Sequence, residues 1–136
     1  MTADPRRGLP RVAILADDLI WATRLADLVR RAGGVSIPIR SLAQLGAALE
    51  STDALPAGCV VDLTARAFDG IAALSLASAA GVPVVAVGQH DDVELRRAAK
   101  AAGATHVYAY RALHEHGDRD LGAWIAGLST GQEETR

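Results

Sequence analysis

Three aspartates stand where apolar runs give out, and carboxylates so placed can hold a hard cation or act as a nucleophile. Asp17 and Asp18 follow the apolar residues 11–16 (RVAILA), and Asp62 lies inside the apolar run 59–63, with Thr64 just beyond it. Like charges brought close repel and raise one another's pKa unless a cation is present. An oxygen-only cluster with room for water suits Mg²⁺, which takes one or two carboxylates together with phosphate oxygens. Taken singly, each aspartate has a plainer use: an aspartate after a strand is a common helix N-cap, and Asp18 fits that role.

Other chemistry is thinner. Cys59 is the lone cysteine, which excludes an internal disulfide or a Cys-rich zinc site, and its apolar neighbours make it a buried structural thiol. His106, His114 and His116 include a His-x-His pair with no third ligand in view, so a solvated polar loop is the simpler reading. There is no G-x-G-x-x-G and no P-loop. A formal charge of −2 and the lack of a basic stripe or helix-turn-helix pattern exclude a nucleic-acid footprint. No apolar run is long enough for a membrane helix or a signal peptide, which makes the cytosol the expected compartment.

The elements that must position the aspartates alternate. Strands are expected over residues 11–16, 35–39, 59–63, 82–87 and 106–110. The run VPVVAV at 82–87 is the most β-branched. The first helix carries Trp21, Leu25, Leu28, Val29 and Ala32 at helical spacing and stops at Gly33-Gly34. Ser41 with Gln44 has capping-box spacing ahead of a Leu42, Leu45, Leu49 face. Ile71, Leu74, Ala77 and Ser78 mark a third helix, ended by Gly81. Asp91 with Glu94 opens a fourth, with Leu95, Ala98, Ala99 and Ala102 inward. After a polar stretch, Leu121, Trp124, Ile125 and Leu128 mark the last. Apolar strands separated by helices imply a doubly wound parallel sheet, flavodoxin-like (βα)5, in the order 2-1-3-4-5. The expected organisation is an extension at 1–10, one domain at 11–128 and a tail at 129–136. In this order the switch point lies between strands one and three, where ligands of such sheets bind. Asp17, Asp18 and Asp62 should therefore converge.

At this point the sequence resembles the receiver domain of two-component response regulators, over nearly the whole of residues 11–128. Ile14-Leu15-Ala16-Asp17-Asp18 is similar to the first strand with its acidic pair, and Val60-Val61-Asp62-Leu63 to the third strand with its phospho-acceptor. Asp69-Gly70, Val82-Pro83-Val84-Val85 and Ala102-Gly103-Ala104 follow at the family's offsets. The resemblance implies Asp62 as a nucleophile toward a phosphohistidine or a small phosphodonor. It implies Mg²⁺ held by Asp17, Asp18, Asp62 and the backbone carbonyl of Thr64.

The departures fall on the readout. Where the family places Thr or Ser at the end of the fourth strand, this chain has Gly88. The switch aromatic aligns with Val107. The conserved lysine and the following proline align with Tyr110 and Arg111, and the Met-Pro after the acceptor with Ala65-Arg66. Tyr110 can donate a hydrogen bond but carries no full charge. Arg111, on a strand, would face away from Tyr110. Arg66 is the better candidate cation. A switch needs an element whose two states are bound differently, and the usual moving parts are gone.

Thirteen of the fourteen basic residues are arginine, partly a codon bias, and the one lysine, Lys100, falls on the expected fourth helix. Codon bias does not explain Tyr110, because Arg would have kept a cation there. The resulting expectation is a stand-alone, receiver-like signalling module, not an enzyme, acting by protein–protein contact. Its natural partners would be signalling proteins, a histidine kinase included, or a second copy through the face of the fourth helix, fifth strand and fifth helix. Tyr108 and Tyr110, on one face of the last strand, either serve an interface or pack under a helix. Three alternatives stay open: an ordinary phosphorelay receiver, a small Mg²⁺-dependent phosphatase or phosphotransferase, and a flavodoxin-like binder of a small ligand. The phosphatase reading lacks a second acid in an Asp-x-Asp arrangement, since Leu63-Thr64 follow Asp62.

Overall fold

The computed structural model describes residues 8–89 and 91–134. Five strands alternate with five helices: β1 (Arg11–Leu15), α1 (Leu19–Arg31), β2 (Val35–Ile39), α2 (Leu42–Glu50), β3 (Gly58–Asp62), α3 (Gly70–Ala79), β4 (Val84–Gly88), α4 (Val93–Ala101), β5 (Val107–Ala109) and α5 (Tyr110–Glu134). All strand pairs are parallel and the sheet order is β2-β1-β3-β4-β5. The flavodoxin-like order expected from the apolar runs is the one found. Most of the expected extension, residues 1–7, and the last two residues of the expected tail lie outside the described residues.

The sheet divides two cores because side chains alternate along each strand. Ala13, Leu15, Cys59, Val61, Val84 and Ala86 face α2, α3 and α4. Val12, Ile14, Val60, Val85 and Val87 face α1 and α5, meeting Leu25, Val29, Leu121 and Ile125. Burial of each large apolar side chain contributes roughly 1.5–3 kcal/mol. Asp62 shares its parity with Val60, so its side chain emerges on the α1/α5 side at the carboxyl end of β3. Gly58, at the other end of β3, leaves room for the helix layer: a Cβ there would come within 2.7 Å of Leu128 Cδ1 and 2.8 Å of Trp124.

Several local expectations are corrected. β5 is short. Its pairing with β4 ends at Gly88↔Ala109, so Tyr110 is the first residue of α5, and the stretch expected as a polar loop is helical. His106 precedes the strand. α5 is broken at His116 (φ −134°, ψ 25°) and its helical backbone continues past Leu128 to Glu134. The cap of α4 is Asp92, whose carboxylate accepts from the Leu95 N–H at 3.0 Å, rather than Asp91. Of the four inward residues expected on α4 only Ala99 is fully buried, and on α3 Ala73 is buried while Ser78 is exposed. Ser41 caps α2 as expected, but Gln44 Oε1 accepts from the N–H of Arg40 at 2.7 Å, one residue beyond the capping-box position. Pro38 lies in the edge strand β2, the place in a sheet where its missing N–H costs least.

Candidate functional site

Asp62 is the one buried charged residue among the described residues, 1% exposed, with β1 and β4 on either side of its strand. Three described donors converge on a single oxygen, Oδ1. The Thr64 N–H donates at 3.0 Å and the Thr64 hydroxyl at 2.8 Å. This is the local turn that a short carboxylate makes with the backbone two residues on. The Tyr110 hydroxyl is the third donor. The two hydroxyl oxygens lie 2.6 Å apart, so the donors crowd around the one acceptor oxygen.

Burial pushes the Asp62 carboxyl above its ordinary value. The Thr64 N–H and hydroxyl pull the other way, and the negative charges of Asp17 and Asp18 push it further up. The charges of Asp17 and Asp18 thus reach Asp62 at the carboxyl end of the sheet.

Asp17 and Asp18 are themselves occupied. Asp17 Oδ2 accepts from the backbone N–H of Arg66 at 2.7 Å and of Ala67 at 2.9 Å, which ties the loop after β3 to the end of β1. Those bonds, that of Ala67 first, hold its carboxyl below the ordinary value, and the Arg66 charge adds to this. Asp18 is the N-cap of α1, with Oδ1 accepting from Ile20 at 2.8 Å and Trp21 at 3.2 Å. The plain capping role is therefore filled.

Oxygen donors of this kind suit Mg²⁺ in type. Their arrangement does not: among the described residues no group of three or more His, Cys, Asp or Glu is placed to hold a metal ion. The described hydrogen bonds commit one oxygen of each aspartate to a proton donor. Thr64, expected to offer its carbonyl, gives its N–H and hydroxyl to Asp62.

The remaining positions fall as follows. Gly88 ends β4, buried, and a Cβ there would stand 3.3 Å from Leu63 Cδ1, on the side away from Tyr110. Val107 is buried in the sheet. Arg111, helical rather than extended, pairs with Glu115 at 3.3 Å on the surface, so the strand-alternation argument does not govern it. Lys100 is exposed on α4. Tyr108 and Tyr110 both pack into the α1/α5 core. His106 stacks on Tyr108, His114 contacts Arg24 and His116 lies by Glu115. Trp21 is the residue sequence reasoning missed: its ring lies 4.4 Å from that of Tyr110, tilted by 48°. At helical spacing it reads only as core.

The chain has the fold of CheY-like response regulator receiver domains. It is similar to a receiver domain protein from Methanospirillum hungatei at 17% identity and a TM-score of 0.73, covering 94% of this chain and 99% of that one. A receiver domain protein from Clostridium thermocellum gives 14% identity and a TM-score of 0.75, covering 94% and 100%. NtrX from Brucella abortus gives 17% and 0.72, but the 93% of this chain that matches spans only 29% of that longer protein. No family model matches the sequence, and no curated protein matches it. Among the described residues no helix is long and apolar enough to cross a membrane.

Proposed function

We propose that this chain is a receiver-like signalling module that works through protein contact, with the acceptor chemistry of Asp62 held back by Tyr110. The observation that carries the reading is the Tyr110 hydroxyl on Asp62 Oδ1, at the position where the resemblance calls for lysine. Phosphorylation would require a carboxylate oxygen of Asp62 to attack phosphorus while the donor's leaving group departs with its electron pair. Three donors on Oδ1 lower the nucleophilicity of the carboxylate. The negative charge that develops on the phosphoryl oxygens needs a cation. Lys100 stands exposed on α4, and the position at the end of β5 where the resemblance calls for a cation holds Tyr110. The proposed contact surface is the face formed by α4, β5 and α5. It meets a signalling protein, a histidine kinase included, or a second copy of the chain.

Intact-mass measurement after incubation with acetyl phosphate, with and without Mg²⁺, tests this against Asp62→Asn. The expected result is little adduct on the wild type and no change in self-association. Stoichiometric, stable labelling of Asp62 that alters partner affinity would overturn the reading in favour of an ordinary phosphorelay receiver. Turnover of an aryl phosphate that is lost in Asp62→Ala would overturn it in favour of a phosphatase.

A further inference from the structure

Asp62 stands at the head of a continuous chain of side-chain contacts that leads away from the α4–β5–α5 face. The Tyr110 hydroxyl meets Asp62, and the Tyr110 ring lies 4.4 Å from Trp21. The Arg24 guanidinium sits 5.4 Å from the centre of the Trp21 ring, and its Nη1 is 3.5 Å from His114 Nδ1. The chain ends in a cleft of about 240 Å³ between α1 and α5, walled by Trp21, Arg24, Leu113 and His114. A neighbouring cleft of about 270 Å³ continues along Arg31 and His116.

The segment of α5 that carries Tyr110, Leu113 and His114 is set apart at both ends. Sheet pairing stops at Ala109, one residue before it. The helix breaks at His116, whose dihedrals are not helical. A short helical segment bounded by a strand end and a break can shift as a unit, and coupling between sites requires such an element. A group that takes over Oδ1 of Asp62 must displace the Tyr110 hydroxyl, and loss of that oxygen leaves the hydroxyl with Thr64 Oγ1, 2.6 Å away, as its neighbour.

We infer that residues 110–115 form a lever. The state of Asp62 is passed by Tyr110 to Trp21 and read at the α1–α5 cleft. This rests on the reading of Asp62 as the signalling residue, and it places the output on a different face from the α4–β5–α5 surface. The lever would replace the coupling that the Gly88 and Val107 positions no longer provide.

The test is nuclear magnetic resonance of the full chain. It reads the Trp21 indole and His114 imidazole signals, with the Trp124 indole, packed near Gly58 at the other end of β3, as internal control. The set is wild type, Asp62→Ala, Tyr110→Phe and the double variant. Asp62→Ala should move Trp21 and His114 and leave Trp124 in place, and the same substitution made in Tyr110→Phe should move neither. A Trp21 shift that survives Tyr110→Phe overturns the lever, as does an Asp62→Ala protein with both signals unmoved. If Asp62→Ala does not fold, Tyr110→Phe alone decides: it removes one hydroxyl, and unmoved Trp21 and His114 signals overturn the inference. Phosphorylation takes no part in these readouts. An unexpected labelling result would therefore sink the functional reading and leave the lever standing, and the reverse holds for a failed shift.

Discussion

The hydroxyl of Tyr110 donates to Oδ1 of Asp62, so the first residue of α5, just past the sheet's edge strand, closes over the carboxylate at the end of β3. Thr64 reaches the same oxygen from the loop that follows β3. One oxygen thus joins three stretches of chain at the carboxyl end of the sheet.

Removing the Tyr110 hydroxyl takes one of those donors away and leaves a buried carboxylate with Thr64 alone. A hydrogen bond to a charged group contributes roughly 1.5–3 kcal/mol. Tyr110→Phe should therefore lower unfolding stability by about that much in urea, with an unchanged denaturant slope. Unaltered stability would mean that the bond does not hold α5 against the sheet.

The raised pKa of Asp62 makes it bind its proton more tightly folded than unfolded. Protonated Asp62 therefore favours the fold. That contribution is full below the ordinary carboxylate value and is lost as pH rises through the raised folded value. Asp62→Asn, which stays neutral, should be more stable than the wild type at neutral pH, with the gain shrinking to nothing as pH falls toward about 4. Asp17 behaves oppositely. Its pKa is lowered by the Ala67 and Arg66 N–H groups, so its stabilisation is present above the ordinary value and lost as pH falls through the lowered one. Asp17→Asn should destabilise at neutral pH and become silent in acid. Thermal melts across pH 3 to 8 check both, and parallel pH profiles for the two variants would contradict the assignment.

Restoring a cation beside Asp62 should raise its reactivity. Tyr110→Lys removes the closing hydroxyl and adds charge where a phosphoryl group would develop it. Labelling by acetyl phosphate should rise about ten-fold or more, since a single well-placed stabilising group is worth roughly 10² to 10³ in rate. Equal labelling of wild type and variant would show that Tyr110 is not what limits Asp62.

The strands and their order were legible in the sequence because a parallel sheet covered on both faces needs uninterrupted apolar runs, and residues 11–16, 59–63 and 82–87 supply them. The end of β5 was not legible. Val107, Tyr108, Ala109 and Tyr110 continue one pattern, and nothing in it records that β4 stops pairing at Gly88. The aspartates were readable from their places at strand ends. What they bind was not, because Tyr110 reads as a missing charge and its hydroxyl contact depends on where α5 starts. Trp21 was hidden for a related reason: at helical spacing it reads as core, and the ring it meets lies 89 residues away in the chain.

The docking of α5 on α1 rests on two glycines that should respond in opposite ways. Gly117, just past the break at His116, is buried. A Cβ there would come within 2.8 Å of Leu28 Cδ2 and 2.9 Å of Cδ1, and Leu28 is itself enclosed in the core. Gly122, further along the helix, would place its Cβ 3.8 Å from Ala32 Cβ, an ordinary contact. Neither has a positive φ, so backbone strain does not enter. Alanine in a helix is favoured over glycine by roughly 0.5–1 kcal/mol, and overpacking a filled core costs roughly 1–3 kcal/mol. Gly122→Ala should therefore raise stability by the first amount. Gly117→Ala, where overpacking outweighs helix propensity, should lower it. Because Leu28 lines the α1–α5 cleft, Gly117→Ala should also displace the His114 signal, whereas Gly122→Ala should not. Two stabilised proteins would show that α5 sits further from α1 than the Leu28 contact requires.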